Sequence, residues 1–287
     1  MRALEIIRAG VRTTVQDLGR PGYAHLGVSR SGALDAGALR RANRLAGNPP
    51  GAAGLEITLG GLRARATGAL TLALTGAPCP ITVGRRPADP ELPLAVPAGA
   101  VIEIGHATAG LRAYLAVGGG IAVPPVLGSR STDTLSGLGP APVRDGDVLP
   151  VGPVTAPPPG VDVAPHPPPP AALCLRVWFG PRDDWFTAAA RHTLLSAEYR
   201  VSPQTDRVGA RLTGPALDRA VDGELPSEGL VLGAIQVPAD GQPLVFLADH
   251  PTTGGYPVIG VVDPSDVDRL GQARPGTPVR FSPAAAR

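Results

Sequence analysis

The chain has 287 residues, with 26 basic and 24 acidic side chains and a formal net charge of +2. That length holds one large or two modest domains with ample core, and a balanced charge without blocks of one sign argues against nucleic acid or an anionic membrane as main partner. The absence of an 18-residue apolar run or a signal-peptide pattern points to a cytoplasmic protein, in which Cys79 and Cys174, lacking metal spacing, are expected to be buried, inert thiols.

Residues 2–8 alternate in hydropathy as an opening strand does. Gly10 to Asp35 carries five glycines and few long apolar residues, a composition that predicts a long ordered loop. Within it Thr13, Thr14, Gln16, Asp17 and Arg20 offer closely spaced hydrogen-bonding groups. Asp35–Ala46 is the clearest helix of the first half. Asp35 suits the N-cap, Gly47 the stop, and Leu34, Ala38, Ala42 and Leu45 share a face. Arg40, Arg41 and Arg44 then point elsewhere, to solvent or a partner.

From Gly54 the apolar runs LEIT, ALTLALTG, PITVG, LPLAV, VIEIG and LRAYLAVGG recur with Gly or Pro between them, a spacing that predicts an antiparallel barrel or sandwich. Leu127–Asp133 then sets hydroxyls, Ser129 among them, around the Arg130 guanidinium. Such a planar donor fork suits a carboxylate or phosphate; pinning of its own loop to Asp133 or Asp145 is the structural alternative. The proline-dense residues 154–172, which include His166, read as an extended linker between domains spanning 1–153 and 173–287.

The second half predicts a strand at Leu173–Phe179 and a helix from about Arg182 to Ser196, with Asp183 and Asp184 in its first turn. Trp185, Ala189, His192 and Leu195 are expected to share one face of that helix. Short strands at Tyr199–Pro203 and Arg211–Thr213 flank Thr205–Gly209, and a helix from Pro264 to about Gln272 precedes a last strand, Val279–Ser282.

The richest stretch is Ala234–Gly260. An apolar run ends at Pro238, Asp240-Gly241 makes a turn, and Leu244–Ala248 delivers Asp249 and His250 to the loop Pro251–Pro257. Gly254 and Gly255 can take positive φ, and such a pair lets successive N–H groups converge on an anion. Pro257 fixes the direction of Tyr256.

Taken in order, these segments resemble one family. TVQDLGRPGYAHLGVSRSGALD (14–35), NRLAGN (43–48), LEITLGG (55–61), LAVGGGI (115–121) and LGSRST (127–132) look like its first half. TDRVGARLTGP (205–215), SEGLVLGAIQVPADGQP (227–243) and ADHPTTGGYPVI (248–259) look like its second. The family is that of biotin-dependent carboxyltransferases, also called allophanate hydrolase subunit 2. It includes the C subunit of bacterial ATP-dependent 5-oxoprolinase, part of the carboxyltransferase domain of urea carboxylase, and an antagonist of a sporulation-kinase inhibitor. The resemblance implies a mainly β (α+β) fold of two cyclophilin-like β-barrel domains. It also implies a partner resembling the 5-oxoprolinase B subunit, with the A subunit of that enzyme as a possible further one. Val208 and Ala210 depart from the Met and Tyr of many relatives.

The sequence contains no lysine. This excludes a P-loop lysine, a Schiff base, a biotinylated lysine and a lysine-dependent amidase, so any anion must be held by arginines or backbone amides. The resemblance is closest to the 5-oxoprolinase C subunit. It implies ring opening of 5-oxoproline to glutamate, driven by ATP (with Mg) shared with or bound by the partner subunits. One alternative is the carboxyltransferase component of a urea or amide carboxylase, with biotin on another chain. The other is a regulatory binder of a partner like the B subunit.

Residue chemistry then suggests roles. Arg130 and Arg207 would clamp anions, with Ser129, Asp206 and Gln236 among the binding groups and the Gly254-Gly255 amides as a nest. Asp249 or His250, and secondarily Glu228, would transfer protons. Thr252, Thr253 and Tyr256 would orient substrate, and Gln16, Asp17 and Arg20 would complete the wall from the first domain. No metal-binding residues are expected.

Overall fold

The computed structural model describes residues 2–158, 167–223 and 225–285. The chain divides into two compact units that interleave in sequence. One comprises Met1–Arg20, Ser31–Asp133 and Gly137–Pro169; the other comprises Pro21–Arg30, Thr134–Ser136 and Pro170–Arg287. The chain thus passes between units inside the first half as well as in the proline-rich stretch. Residues 159–166 of that stretch, His166 included, lie outside the described residues.

The first unit is built on two antiparallel sheets. Six strands run in the spatial order Val148–Pro150, Ala3–Arg8, Arg63–Ala66, Val101–Ile104, Ile81–Val83, Arg86–Ala88. Five run in the order Arg12–Gln16, Gly54–Thr58, Arg112–Val117, Leu70–Gly76, Leu94–Val96. Leu4, Ile6, Leu55, Ile57, Leu72, Leu74, Ile102, Leu115 and Val117 from both sheets share one core. The strand at Arg12–Gln16 corrects the loop expected from Gly10 to Asp35. Val15 faces the core, while Thr13, Thr14 and Gln16 are also buried, so hydropathy alone does not reveal it.

Helix α1 (Ala36–Leu45) packs on the five-stranded sheet through Ala38, Leu39, Ala42 and Leu45 against Ala73, Tyr114 and Ala116. Its N-cap is as expected, with Asp35 Oδ1 accepting from Ala38 N at 2.7 Å. The strand Arg112–Val117 is therefore covered on both faces and buried along its whole length. Tyr114 donates to Glu56 Oε2 at 2.8 Å and accepts from Asp35 N at 2.8 Å. Burial, with Glu56 beside it, pushes this phenol well above its usual range.

The second unit is a closed seven-stranded barrel. Its strands run Leu173–Phe179, Val258–Val262, Ala234–Gln236, Leu244–Phe246, Gly209–Thr213, Glu198–Val201, Pro278–Pro283, and the last pairs in parallel with the first, closing the ring. Alternation is clean in Leu173–Phe179, where Leu173, Leu175 and Val177 turn inward and Cys174 and Arg176 outward. Cys79 is buried as expected, but this alternation leaves Cys174 exposed. Tyr199 and Phe281 meet edge to face at 6.0 Å inside the barrel.

The helix expected from Arg182 is split. A 3-10 turn, Asp183–Trp185, is followed by extended Phe186 and Thr187, and α2 (Ala188–Ser196) starts on a Thr187 cap to Ala190 N. Ala190 and Leu194 are its buried residues, while Ala189 and His192 are exposed. Helix α3 (Pro264–Leu270) has Asp263 as its N-cap and Pro264 in its first turn.

Candidate functional site

The charge centre of the second unit is an ion pair between residues 42 apart in sequence. Arg207 Nε meets Asp249 Oδ2 at 2.9 Å and Arg207 Nη2 meets Asp249 Oδ1 at 3.1 Å. Both side chains are buried, at 2% and 0% exposure. Asp249 Oδ2 also accepts from Thr134 N and Thr134 Oγ1 at 2.9 and 2.8 Å. Arg207 therefore spends its bidentate fork on Asp249, and the pair anchors the start of the loop instead of acting as an open anion clamp. Thr134 was not among the expected residues, because nothing in its local sequence signals a partner so far along the chain.

His250 follows, 7% exposed, its ring tilted against Phe246 at 6.0 Å. Its Nδ1 lies 2.7 Å from Pro251 O. A carbonyl can only accept, so Nδ1 carries the proton and a neutral ring keeps its basic nitrogen at Nε2.

The loop beyond is held by a short ribbon in which Glu228 pairs with Gly254 and Gly229 with Thr253. Leu230 N donates to Thr252 O at 2.9 Å. Neither Gly254 nor Gly255 takes positive φ, so the expected left-handed nest does not form. A Cβ at Gly254 would sit 2.8 Å from Gln236 Nε2 and 2.8 Å from Leu230 Cδ1, so one or both side-chain ends would have to shift. Gln236 is buried and its Nε2 donates to Tyr256 O at 2.9 Å, so it supports the loop's backbone. Tyr256 is 48% exposed, and the Arg219 guanidinium carbon lies over its ring, 5.8 Å from the ring centroid.

Glu228 is gripped by Arg182, whose Nε lies 2.9 Å from Oε1 and whose Nη2 also bonds it. The Arg182 hydrogen bond holds this carboxyl below its usual range, so Glu228 stays ionised and is poorly suited to donate a proton. Asp206 turns inward on its own turn, its Oδ1 accepting from Val208 N and Gly209 N at 2.8 and 3.1 Å. The residue is exposed, and one of its carboxylate oxygens is spent on that turn.

In the first unit, Asp17 is the hub. Its Oδ1 accepts from Ser129 Oγ, Ser131 Oγ and Gly19 N at 2.6, 2.6 and 2.8 Å, and its Oδ2 from Arg130 N at 2.6 Å. Ser129 is wholly buried in this arrangement. The Arg130 side chain bonds neither Asp133 nor Asp145; its Nε donates to Val123 O at 2.7 Å.

Arg20 is 1% exposed and has no carboxylate partner. Its Nη2 bonds Ser131 O, its Nε lies 3.4 Å from Val126 O, and its Nη1 is buried with no partner. Gln16 Nε2 donates to Thr132 O at 3.0 Å, while Gln16 Oε1 and Thr132 Oγ1 are likewise buried and unbonded. Three unmet polar atoms thus belong to side chains anchored on one stretch, Ser131–Thr132. No metal-binding cluster of His, Cys, Asp or Glu occurs among the described residues, and no helix among them is long and apolar enough to cross a membrane.

Comparison with known proteins places this geometry. The family profile described as carboxyltransferase domain, subdomain A and B, matches residues 26–283. The C subunit of Escherichia coli 5-oxoprolinase is 40% identical over 284 residues, covering 97% of this chain and 90% of that protein. The crystal structure of TTHA0988 matches with TM-score 0.90 and 39% identity over 98% of this chain, which spans 56% of that one. The Kluyveromyces lactis urea carboxylase structure matches with TM-score 0.90 and 30% identity over 99% of this chain, which spans 27% of that longer one.

Proposed function

The chain belongs to the carboxyltransferase-domain (subdomain A and B) family, and we propose that it serves as one component of an ATP-dependent 5-oxoprolinase complex. The observation that carries this reading is the 40% identity to the C subunit of a 5-oxoprolinase across nearly the whole of both chains. The likeness to urea carboxylase covers a quarter of that protein at lower identity, so the biotin-dependent reading ranks second.

In the proposed reaction water adds at C5 of the lactam and the C5–N bond breaks. The nitrogen takes a proton to become the amine of glutamate, while ATP is hydrolysed to ADP and phosphate. ATP supplies activation of an otherwise stable amide by phosphorylating its oxygen. The duties left to this chain are to hold a carboxylate and to manage a proton. Arg20 suits the first, since a buried cation without a counter-carboxylate gains most from an incoming one; Thr132 Oγ1 can donate to the same carboxylate, whereas Gln16 Oε1, an acceptor, suits the lactam N–H. Within the second unit, taken by itself, His250 is the candidate for the second, because Asp249 is committed to Arg207 and Thr134 and Glu228 to Arg182.

The test is co-purification with chains like the B and A components of 5-oxoprolinase, followed by an assay of glutamate release from 5-oxoproline with and without ATP. Release that requires both ATP and this chain is expected. Assembly with a biotin carrier and a biotin carboxylase, with urea carboxylation in place of glutamate release, would overturn the reading.

A further inference from the structure

Helix α1 ends beside a cavity of about 750 Å³ that lies wholly within the first unit. Arg40, Arg41, Arg44, Pro49, Pro50 and Pro157 line it, and among the described residues no acidic one does. Asn48, also in its wall, is already committed: its Nδ2 donates to Asn43 Oδ1 and Val117 O, and its Oδ1 accepts from Gly119 N at 2.7 Å. The polar capacity of the cavity therefore rests on its guanidinium groups and the Thr155 hydroxyl.

Arg41 is decisive. Its Nε and Nη2 are buried and have no hydrogen-bond partner. These are the same two atoms with which Arg207 grips the Asp249 carboxylate. A guanidinium edge left unbonded costs free energy that a bidentate oxyanion restores, and Arg41 lines the cavity. The helix dipole accounts for a cation in the last turn, where Arg44 stands. It does not account for a half-buried Arg41 without a partner.

We propose that this cavity binds an organic phosphate of nucleotide size, with phosphoryl oxygens on Arg41 and its neighbours and the apolar body on the proline ledge. Three lining arginines, with no carboxylate among the described lining residues, favour a multiply charged anion over a monocarboxylate, and the volume lies within the range of small-molecule sites, roughly 300–1,000 Å³. None of its lining residues is among those given a part in the proposed reaction, and it does not depend on the oxoprolinase reading.

The experiment is calorimetric titration of the purified full chain with ATP, ADP, pyrophosphate and inorganic phosphate. ATP or ADP is expected to bind saturably and more tightly than pyrophosphate. Arg41→Gln should weaken that binding by about tenfold or more, and Arg41→Lys, which keeps the charge and loses the fork, by severalfold, with thermal unfolding unchanged in both. No nucleotide binding at millimolar concentration, binding no tighter than that of pyrophosphate, or undiminished binding in Arg41→Gln each overturns the proposal. Loss of nucleotide binding in Arg20→Gln with Arg41→Gln unaffected also overturns it, and leaves the proposed reaction standing. Retained nucleotide binding lost in Arg41→Gln, with no glutamate release from the assembled complex, supports this site and counts against the reaction alone.

Discussion

Arg207 in the second unit and Arg20 in the first are equally buried guanidinium groups with opposite settings. Arg207 faces a buried carboxylate in bidentate geometry, and a threonine completes that carboxylate. Arg20 faces backbone carbonyls, while the carboxylate nearest in sequence, Asp17, is taken up by two serine hydroxyls and two amides. Taking a guanidinium out of water is costly unless its charge and hydrogen bonds are matched. Arg207 is matched inside the fold, so it acts as a strut. Arg20 is not, and a ligand supplies what the fold does not.

This contrast orders the expected effects of substitution. The largest is at the matched pair. Asp249→Ala takes the bidentate carboxylate away from buried Arg207, and should cost about 3–5 kcal/mol of unfolding free energy in denaturant titration. A double replacement by well-packed apolar residues should recover much of that loss, since the pair's value lies in its completeness. A cost below about 1 kcal/mol for Asp249→Ala would mean that the pair is solvated and the contrast with Arg20 empty.

Next comes Gly254→Ala. The added Cβ meets the Gln236 amide and Leu230, each at 2.8 Å, and displacing them should cost about 1–3 kcal/mol. Since Gln236 holds Tyr256 O, glutamate release by the complex should fall along with the melting temperature. Arg20→Gln reverses that proportion. It removes an unmatched buried charge, so the unfolding free energy should move by less than about 1 kcal/mol while glutamate release falls about tenfold or more. Stability loss of the size expected for Asp249→Ala would reassign Arg20 to the structural class.

The same contrast explains what was legible in the sequence. Strand Leu173–Phe179 and the caps of α1 were readable because local pattern and tertiary burial agree there. The strands Arg63–Ala66 and Arg86–Ala88 were missed: arginine, alanine and proline carry weak strand signals, and pairing with Ala3–Arg8 and Ile81–Val83 makes them strands. The split before α2 was missed because the acidic first turn looks like a helix start, yet Phe186 is drawn inward as extended chain, bridging to Arg219. At the candidate site, the composition of the 248–257 loop was visible, but its pairings were not. Asp249 to Arg207, Glu228 to Arg182 and Asp17 to Ser129 each join residues dozens of positions apart, and no periodicity encodes such a choice.

The smallest effect tests the third kind of pair, a partly exposed one. Glu228 lies below the ordinary glutamate value of 4.5 because Arg182 hydrogen-bonds its ionised form. A depressed folded-state value means that the contribution is fully present above the unfolded-state value and is lost as pH falls through the folded one. The melting temperature of the natural chain should therefore exceed that of Glu228→Gln at about pH 6, and the difference should shrink as the pH falls below the ordinary glutamate range. Added salt should narrow the difference at the higher pH, since solvent and ions reach this pair. The ion pair of Arg207 and Asp249 should respond far less to salt, because both side chains are sealed from it. Equal salt sensitivity in Glu228→Gln and Asp249→Ala would erase the distinction between the rim of the loop and its buried root.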